Sequence, residues 1–107
     1  MTCKEFCEKI GGKLLSGNGD KELNGCYIGD LLSLAMSKVQ EDNLWITIQS
    51  NINIVAVASL TDVAMVIIAE GIQMDDAAKK RAEMEGIAVY SSDNSAFELA
   101  CAIKKCL

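Results

Sequence analysis

Eight residues that can hydrogen-bond a ligand lie in or beside three short polar segments. The segments are Gln49-Ser50-Asn51, Ala69-Glu70-Gly71 and Ser91-Ser92-Asp93, and each follows a run of apolar residues. Backbone N–H groups at such corners, where helices begin, bind phosphate or carboxylate groups, and the side chains add further hydrogen bonds. Because the chain contains no histidine, the pattern favours binding over chemistry. The candidate ligand-binding residues are Ser50, Asn51, Asn53, Glu70, Gly71, Ser91, Ser92 and Asp93.

Ordinary helix capping also accounts for these residues, because Ser, Asn and Asp are the preferred N-caps. Glu70 and Asp93 would repel an anion at the same place, which weakens a site for phosphate alone. No nucleophile or base accompanies these carboxylates, as acid–base catalysis would require. We therefore predict no catalytic residues and no enzyme activity.

Five cysteines form the second group of reactive side chains. Their odd number is typical of reduced thiols rather than of a disulfide framework. If the two terminal helices packed together, four thiols could gather around zinc or an iron–sulfur cluster. The loop spacing Cys-x2-Cys is missing, however, and free cysteine is common in protein cores. We predict no metal and no cofactor. The cysteines are Cys3, Cys7, Cys26, Cys101 and Cys106.

The polar segments must be positioned by the apolar runs that precede them. These runs, at 44–48, 65–68 and 87–90, recur roughly every 20 residues, the length of one strand–helix unit in a parallel sheet. Parallel strands end at one edge of a sheet, where open α/β sheets bind ligands. Shorter strands are predicted at 13–16 and 26–28. The predicted fold is α/β, with a small, mainly parallel sheet of about four or five strands and flanking helices.

Five helices are predicted around this sheet. The first covers residues 2–10, with Thr2 as N-cap and Glu5 as its capping-box partner. Asp30 is predicted to cap a helix over 31–39 that has a wide buried face. A helix over about 52–60, capped by Asn51 or Asn53, is preferred to a strand because parallel strands need a crossover. The remaining helices cover 75–85, ending at Gly86, and the segment after Asn94 or Ser95.

Composition restricts the class of protein. The chain has 107 residues, half of them apolar, which predicts one domain over 1–107 with a real core. Trp45 and the methionines are assigned to that core. A net charge of -5 argues against nucleic-acid binding. No apolar stretch approaches the ~20 residues of a membrane span, and the first residues lack a signal-peptide core, so we expect a cytoplasmic protein.

Three stretches resemble the DRTGG domain family: 25–32, 50–58, and Glu85-Gly86-Ile87 before Ser91-Ser92. The likeness covers about residues 10–105. Where the family has Asp-Arg after a central strand, this chain has Ser50-Asn51, and only Gly71 matches the family's Thr-Gly-Gly. The resemblance implies a fold like the N-terminal domain of HPr kinase/phosphorylase. It also implies a regulatory module, of the kind found beside CBS domains in some pyrophosphatases and in some phosphotransacetylases.

Two functions follow as hypotheses. The first is a non-catalytic regulatory, ligand-sensing or protein-interaction module that acts as a homodimer. It would bind a small metabolite, such as a nucleotide, or a partner protein at the carboxyl edge of the sheet, and its apolar helix over 52–60 would lie in the dimer interface. The second is an accessory or assembly factor for an anaerobic redox enzyme, such as an iron-only hydrogenase, that uses its cysteines. Stand-alone members of the resembled family occur near such enzymes in anaerobes.

Overall fold

Five strands and five helices make up the fold, and a computed structural model describes the whole chain, Met1–Leu107. The sheet order is β1-β5-β4-β3-β2, with β2 to β5 parallel and β1 antiparallel to β5. The predicted α/β fold with a mainly parallel sheet is therefore confirmed. The elements are α1 (Cys3–Ile10), β1 (Lys13–Ser16), β2 (Gly25–Ile28), α2 (Leu32–Lys38), β3 (Asn43–Thr47), α3 (Asn53–Thr61), β4 (Met65–Ile68), α4 (Asp76–Glu85), β5 (Val89–Ser91) and α5 (Ala96–Cys106).

The two faces of the sheet carry separate halves of the core. Alternate residues of a strand point to opposite faces. Leu44 and Ile46 therefore pack with α1 and α5, whereas Trp45 packs with α2, α3 and α4. Every residue of β4 is buried, as expected for an inner parallel strand covered on both faces. Trp45 is fully buried, and its indole N–H donates to the Gly29 carbonyl oxygen over 3.0 Å.

The β-branched segment after β3 is the helix α3, as predicted. Its crossover position between two parallel strands overrides the strand propensity of Val and Ile. Neither predicted N-cap is correct, because Ile52 is the N-cap and makes no side-chain hydrogen bond. Asn51 instead closes the turn before the helix: its Oδ1 accepts from the Asn53 N–H over 2.9 Å.

The predicted cap and buried face of α2 are wrong. Leu31 is the N-cap, and the Asp30 carboxylate instead accepts from Thr47 Oγ1 and the Ile48 N–H, each over 2.8 Å. Ala35 is the only buried residue within the helix, and Leu31 remains 65% exposed. α2 is a seven-residue helix near the β2 margin of the sheet. It packs against α3 on one side, and its other apolar residues remain exposed because that contact covers only part of the helix.

Several boundaries and one class of core residue also differ from prediction. β5 begins two residues late because the Ile87 N–H donates to the Ala82 carbonyl oxygen and so still belongs to the end of α4. Met65 is fully buried, but Met36 and Met84 are 42% and 79% exposed, so assigning all the methionines to the core is wrong. Both lie on the outer faces of surface helices, where an apolar residue without a partner stays exposed.

The ends of the other helices follow the predicted chemistry. Thr2 and Ser95 each form a complete capping box, with Glu5 and Glu98 three residues later. Gly86 ends α4 in the left-handed conformation that glycine adopts without strain. None of the helices combines the length and the hydrophobicity that crossing a bilayer requires.

Candidate functional site

The three polar segments lie at one edge of the sheet, where β3, β4 and β5 end in parallel. Backbone hydrogen bonds join them. The Glu70 N–H donates to the Asn94 carbonyl oxygen and the Gly71 N–H to that of Ser92, each over 2.9 Å. The Asp75 N–H donates to the Ser50 carbonyl oxygen over 3.0 Å. The sequence therefore placed the segments at a common edge correctly, and the backbone holds them together.

A cleft of about 410 Å³ opens at this edge, between β1, the end of β5, and the connection from β4 to the first turns of α4. Three of the eight candidate residues line it: Gly71, Ser91 and Asp93. Its polar lining is completed by four residues outside the predicted set. They are Lys13, Gln73, Asp76 and Lys79.

The turn after β4 shapes one wall of the cleft. Glu70 and Gly71 are consecutive residues in the left-handed conformation, with φ of 64° and 68°. A Cβ at Gly71 would lie 3.1 Å from Asp93 Oδ1, a distance shorter than ordinary van der Waals contact. Glycine at this position therefore satisfies the backbone conformation and also leaves room for the Asp93 carboxylate.

Asp76 and Lys79 belong to the first turns of α4. The Asp75 N-cap makes no side-chain hydrogen bond to this helix end. The unpaired N–H groups of a first turn carry a partial positive charge that favours an anion nearby. Lys13 and Lys79 add positive charge to the cleft beside this helix end, while Asp93 and Asp76, the latter in the first turn of the same helix, add negative charge.

The other five candidate residues do not line the cleft. Ser92 is buried and its Oγ accepts from the Asn94 N–H over 3.1 Å, so it stabilises a turn. The Asn51 amide donates to Gln49 Oε1 over 3.2 Å, within its own loop. Glu70 is exposed outside the cleft, Ser50 contributes its carbonyl to Asp75, and Asn53 lies on α3 beside a different depression.

Lys13 and Lys79 were missed for different reasons. Lys13 is paired with Ser91 because β1 runs antiparallel beside β5, and no local pattern indicates that pairing. Lys79 is exposed on α4, as lysines on helices usually are, but its side of the helix lines the cleft. Its position four residues after the Asp75 N-cap was the available signal, since it places the side chain near the start of the helix.

The cysteines do not form a metal-binding group. Cys3 and Cys7 are buried in α1, and no set of three or more His, Cys, Asp or Glu side chains is arranged to hold a metal ion. Burial raises the pKa of Cys3 to about 11 and that of Cys7 to about 12, so both thiols stay protonated at neutral pH. The Cys7 thiol contacts Met65 Sδ at 3.6 Å. Among the five cysteines only Cys101 is exposed.

The fold and the cleft define an α/β domain with a ligand-sized opening at the carboxyl edge of its sheet. The DRTGG domain family matches residues 5–106, and the chain belongs to this family.

One solved structure with a similar fold contains the CBS and DRTGG domains of the regulatory region of Clostridium perfringens pyrophosphatase. That structure is a complex with the activator diadenosine tetraphosphate. The two folds superpose with a TM-score of 0.76 at 12% sequence identity, over 97% of this chain and 46% of the pyrophosphatase chain. This chain thus spans about half the length of that regulatory region. No curated protein matches the sequence.

Proposed function

We propose that this chain is a non-catalytic regulatory module that binds a small phosphate-bearing metabolite in the cleft and acts as a homodimer in the cytoplasm. The observation that carries the proposal is the cleft itself, where Lys13 and Lys79 come from different elements to face one opening. Family membership supports a regulatory role. The similar pyrophosphatase region was crystallised with a nucleotide activator, which supports a nucleotide as ligand.

The charges of the cleft favour a nucleotide over inorganic phosphate. Two lysines and two aspartates line it, so its formal charge is balanced. Lysine ammonium groups bind phosphate oxygens. Aspartates would repel a bare anion, but they accept hydrogen bonds from ribose hydroxyl groups, as in dinucleotide-binding folds. The volume of about 410 Å³ lies within the range of small-molecule sites.

Isothermal titration calorimetry with ADP and with diadenosine tetraphosphate tests this proposal. We expect both nucleotides to bind, and Lys79→Gln to weaken binding about tenfold, or roughly 1.4 kcal/mol. Lys80→Gln is the matched control, because Lys80 is its neighbour on α4 and is exposed but does not line the cleft. Absence of nucleotide binding by the unmodified protein, or equal loss in both variants, would contradict the proposal.

The alternative role, as a redox-enzyme accessory that uses cysteines, gains no support from the geometry. Such chemistry needs accessible thiolates, and burial raises the pKa of Cys3, Cys7 and Cys26. The exposed Cys101 has no second exposed cysteine beside it.

A further inference from the structure

An uncharged apolar stripe runs along the outer side of α3. Ile52, Ala56 and Leu60 follow each other at four-residue spacing and therefore share one side of the helix. All three are exposed, Leu60 to 73%. The segment Asn53–Thr61 contains no charged residue, although exposed helix surfaces are normally charged or polar. The sequence of α3 is thus typical of a helix that is buried on more sides than α3 is within a single copy of this chain.

The exposed apolar residues are unevenly distributed between the two faces of the sheet. Of the eleven large apolar side chains that are exposed, six belong to the layer of α2, α3 and α4. A concentration of exposed apolar side chains on one side of a protein is typical of an interaction site. The six residues are Leu31, Leu34, Met36, Ile52, Leu60 and Met84.

A depression of about 430 Å³ lies within this layer, between α3 and α4. We call its surroundings the α3–α4 face, formed by Ile52, Asn53, Ala56, Ser59, Leu60, Arg81 and Glu85. Arg81 and Glu85 flank the apolar stripe, and their charged groups lie 3.6 Å apart, one helical turn from each other.

We propose that the α3–α4 face is the surface through which two copies of this chain meet; this inference rests on the proposed homodimer. A two-fold axis brings the same surface of both copies together. If the axis crosses α4 midway between Arg81 and Glu85, which pair within one chain, Arg81 of one copy lies opposite Glu85 of the other, so the charges are self-complementary. The face has no net charge, although the chain carries -5 overall. Two copies therefore meet here with less repulsion than at an average part of their surface.

Sedimentation velocity at micromolar concentration tests this interface with the full chain. We expect the unmodified protein to be a dimer and Leu60→Glu to raise the dimer dissociation constant at least tenfold, because the substitution places a charge on the apolar stripe of the face. Phe97→Glu is the matched control: Phe97 is 77% exposed, but it lies on α5, on the other side of the sheet. Far-UV circular dichroism checks that both variants are folded.

A charge exchange provides a second test that does not depend on Leu60. Arg81→Glu and Glu85→Arg should each weaken the dimer, and the double variant should restore it, because opposite charges face each other again. A dimer unaffected by Leu60→Glu and by both single exchanges overturns this interface but leaves the homodimer intact. An unmodified protein that is monomeric at every concentration overturns the homodimer as well. Neither result bears on nucleotide binding, which is measured separately.

Discussion

Replacement of Gly17 by alanine should destabilise the protein more than the same replacement at any other exposed glycine. Gly17 follows β1 with φ of +72°. A Cβ there would lie 2.6 Å from Ala88 Cα and 2.8 Å from Ala88 N. These are backbone atoms, which cannot rotate away. Ala88 is also fixed, because its carbonyl oxygen accepts from the Val66 N–H over 2.9 Å and Ser16 Oγ donates to the Ile87 carbonyl oxygen over 2.7 Å.

Gly11 separates the two causes of this destabilisation. It has the same φ of +72°, but nothing lies within 4 Å of the Cβ position. Gly11→Ala therefore measures only the left-handed backbone conformation, about 1–2 kcal/mol. Gly17→Ala adds the cost of overpacking, about 1–3 kcal/mol. The expected losses in the free energy of unfolding are thus about 1–2 kcal/mol for Gly11→Ala and about 2–5 kcal/mol for Gly17→Ala.

Urea unfolding followed by circular dichroism measures both values, provided that the slope m is unchanged between variants. At about 4–8 °C per kcal/mol, the difference should also appear as a lower melting temperature for Gly17→Ala. Equal destabilisation of the two variants would refute the reasoning, since it would mean that the close approach of Gly17 to Ala88 relaxes at no cost.

Three further predictions concern the carboxyl edge and the thiols. Asp30→Ala should cost about 1–3 kcal/mol in urea unfolding because Thr47 and Ile48 lose a charged acceptor, whereas Asp30→Asn, which keeps an oxygen, should cost less; equal losses would contradict this role. Gly71→Ala and Gly86→Ala share a φ of +68° and should lose similar stability, but only Gly71→Ala should weaken nucleotide binding in calorimetry, since its Cβ crowds Asp93. Because burial raises the pKa of Cys3 and Cys7 above the ordinary thiol value of 9.0, folding favours their protonated forms. The contribution of these protonated thiols to the free energy of unfolding is therefore complete below pH 9. It is lost as the pH rises towards about 11 for Cys3 and about 12 for Cys7. In urea unfolding, the free energy of unfolding should accordingly decline less above pH 9 for Cys7→Ala than for the unmodified protein. An identical decline would argue against this role of the Cys7 thiol.

The inner strands and most helix ends could be predicted from the sequence because their determinants are local. β4 is a continuous apolar run, and the capping boxes at Thr2 and Ser95 are complete within four residues. The face of α2 could not be predicted, because its burial depends on how many neighbours a helix near the margin of the sheet acquires. Apolar residues at helical spacing show which side of a helix is suited to burial. They do not show whether another element of the fold lies there to cover that side.

The candidate site was predictable only in its location. Parallel strands bring their ends together by geometry, which correctly grouped the polar segments at one edge of the sheet. Which residues line the cleft depends on β1, whose antiparallel pairing with β5 brings Lys13 beside Ser91. This contact joins distant parts of the chain, so no periodicity reveals it. Ser92 and Asn51 illustrate the opposite error, since their polar groups are used by the backbone and by a neighbouring side chain.

The pairing of β1 with β5 also has a consequence for how the chain folds during synthesis. Lys13 leaves the ribosome roughly 80 residues before its partner Ser91, a delay of about 4–16 s at usual translation rates. Throughout that interval β1 has no strand to pair with, whereas β2, β3 and β4 can assemble as each emerges. β5, the last strand to be translated, thus pairs with β1, the first. Closing the long loop between these two strands costs more conformational entropy than the other strand pairings, and it therefore delays completion of the fold the most.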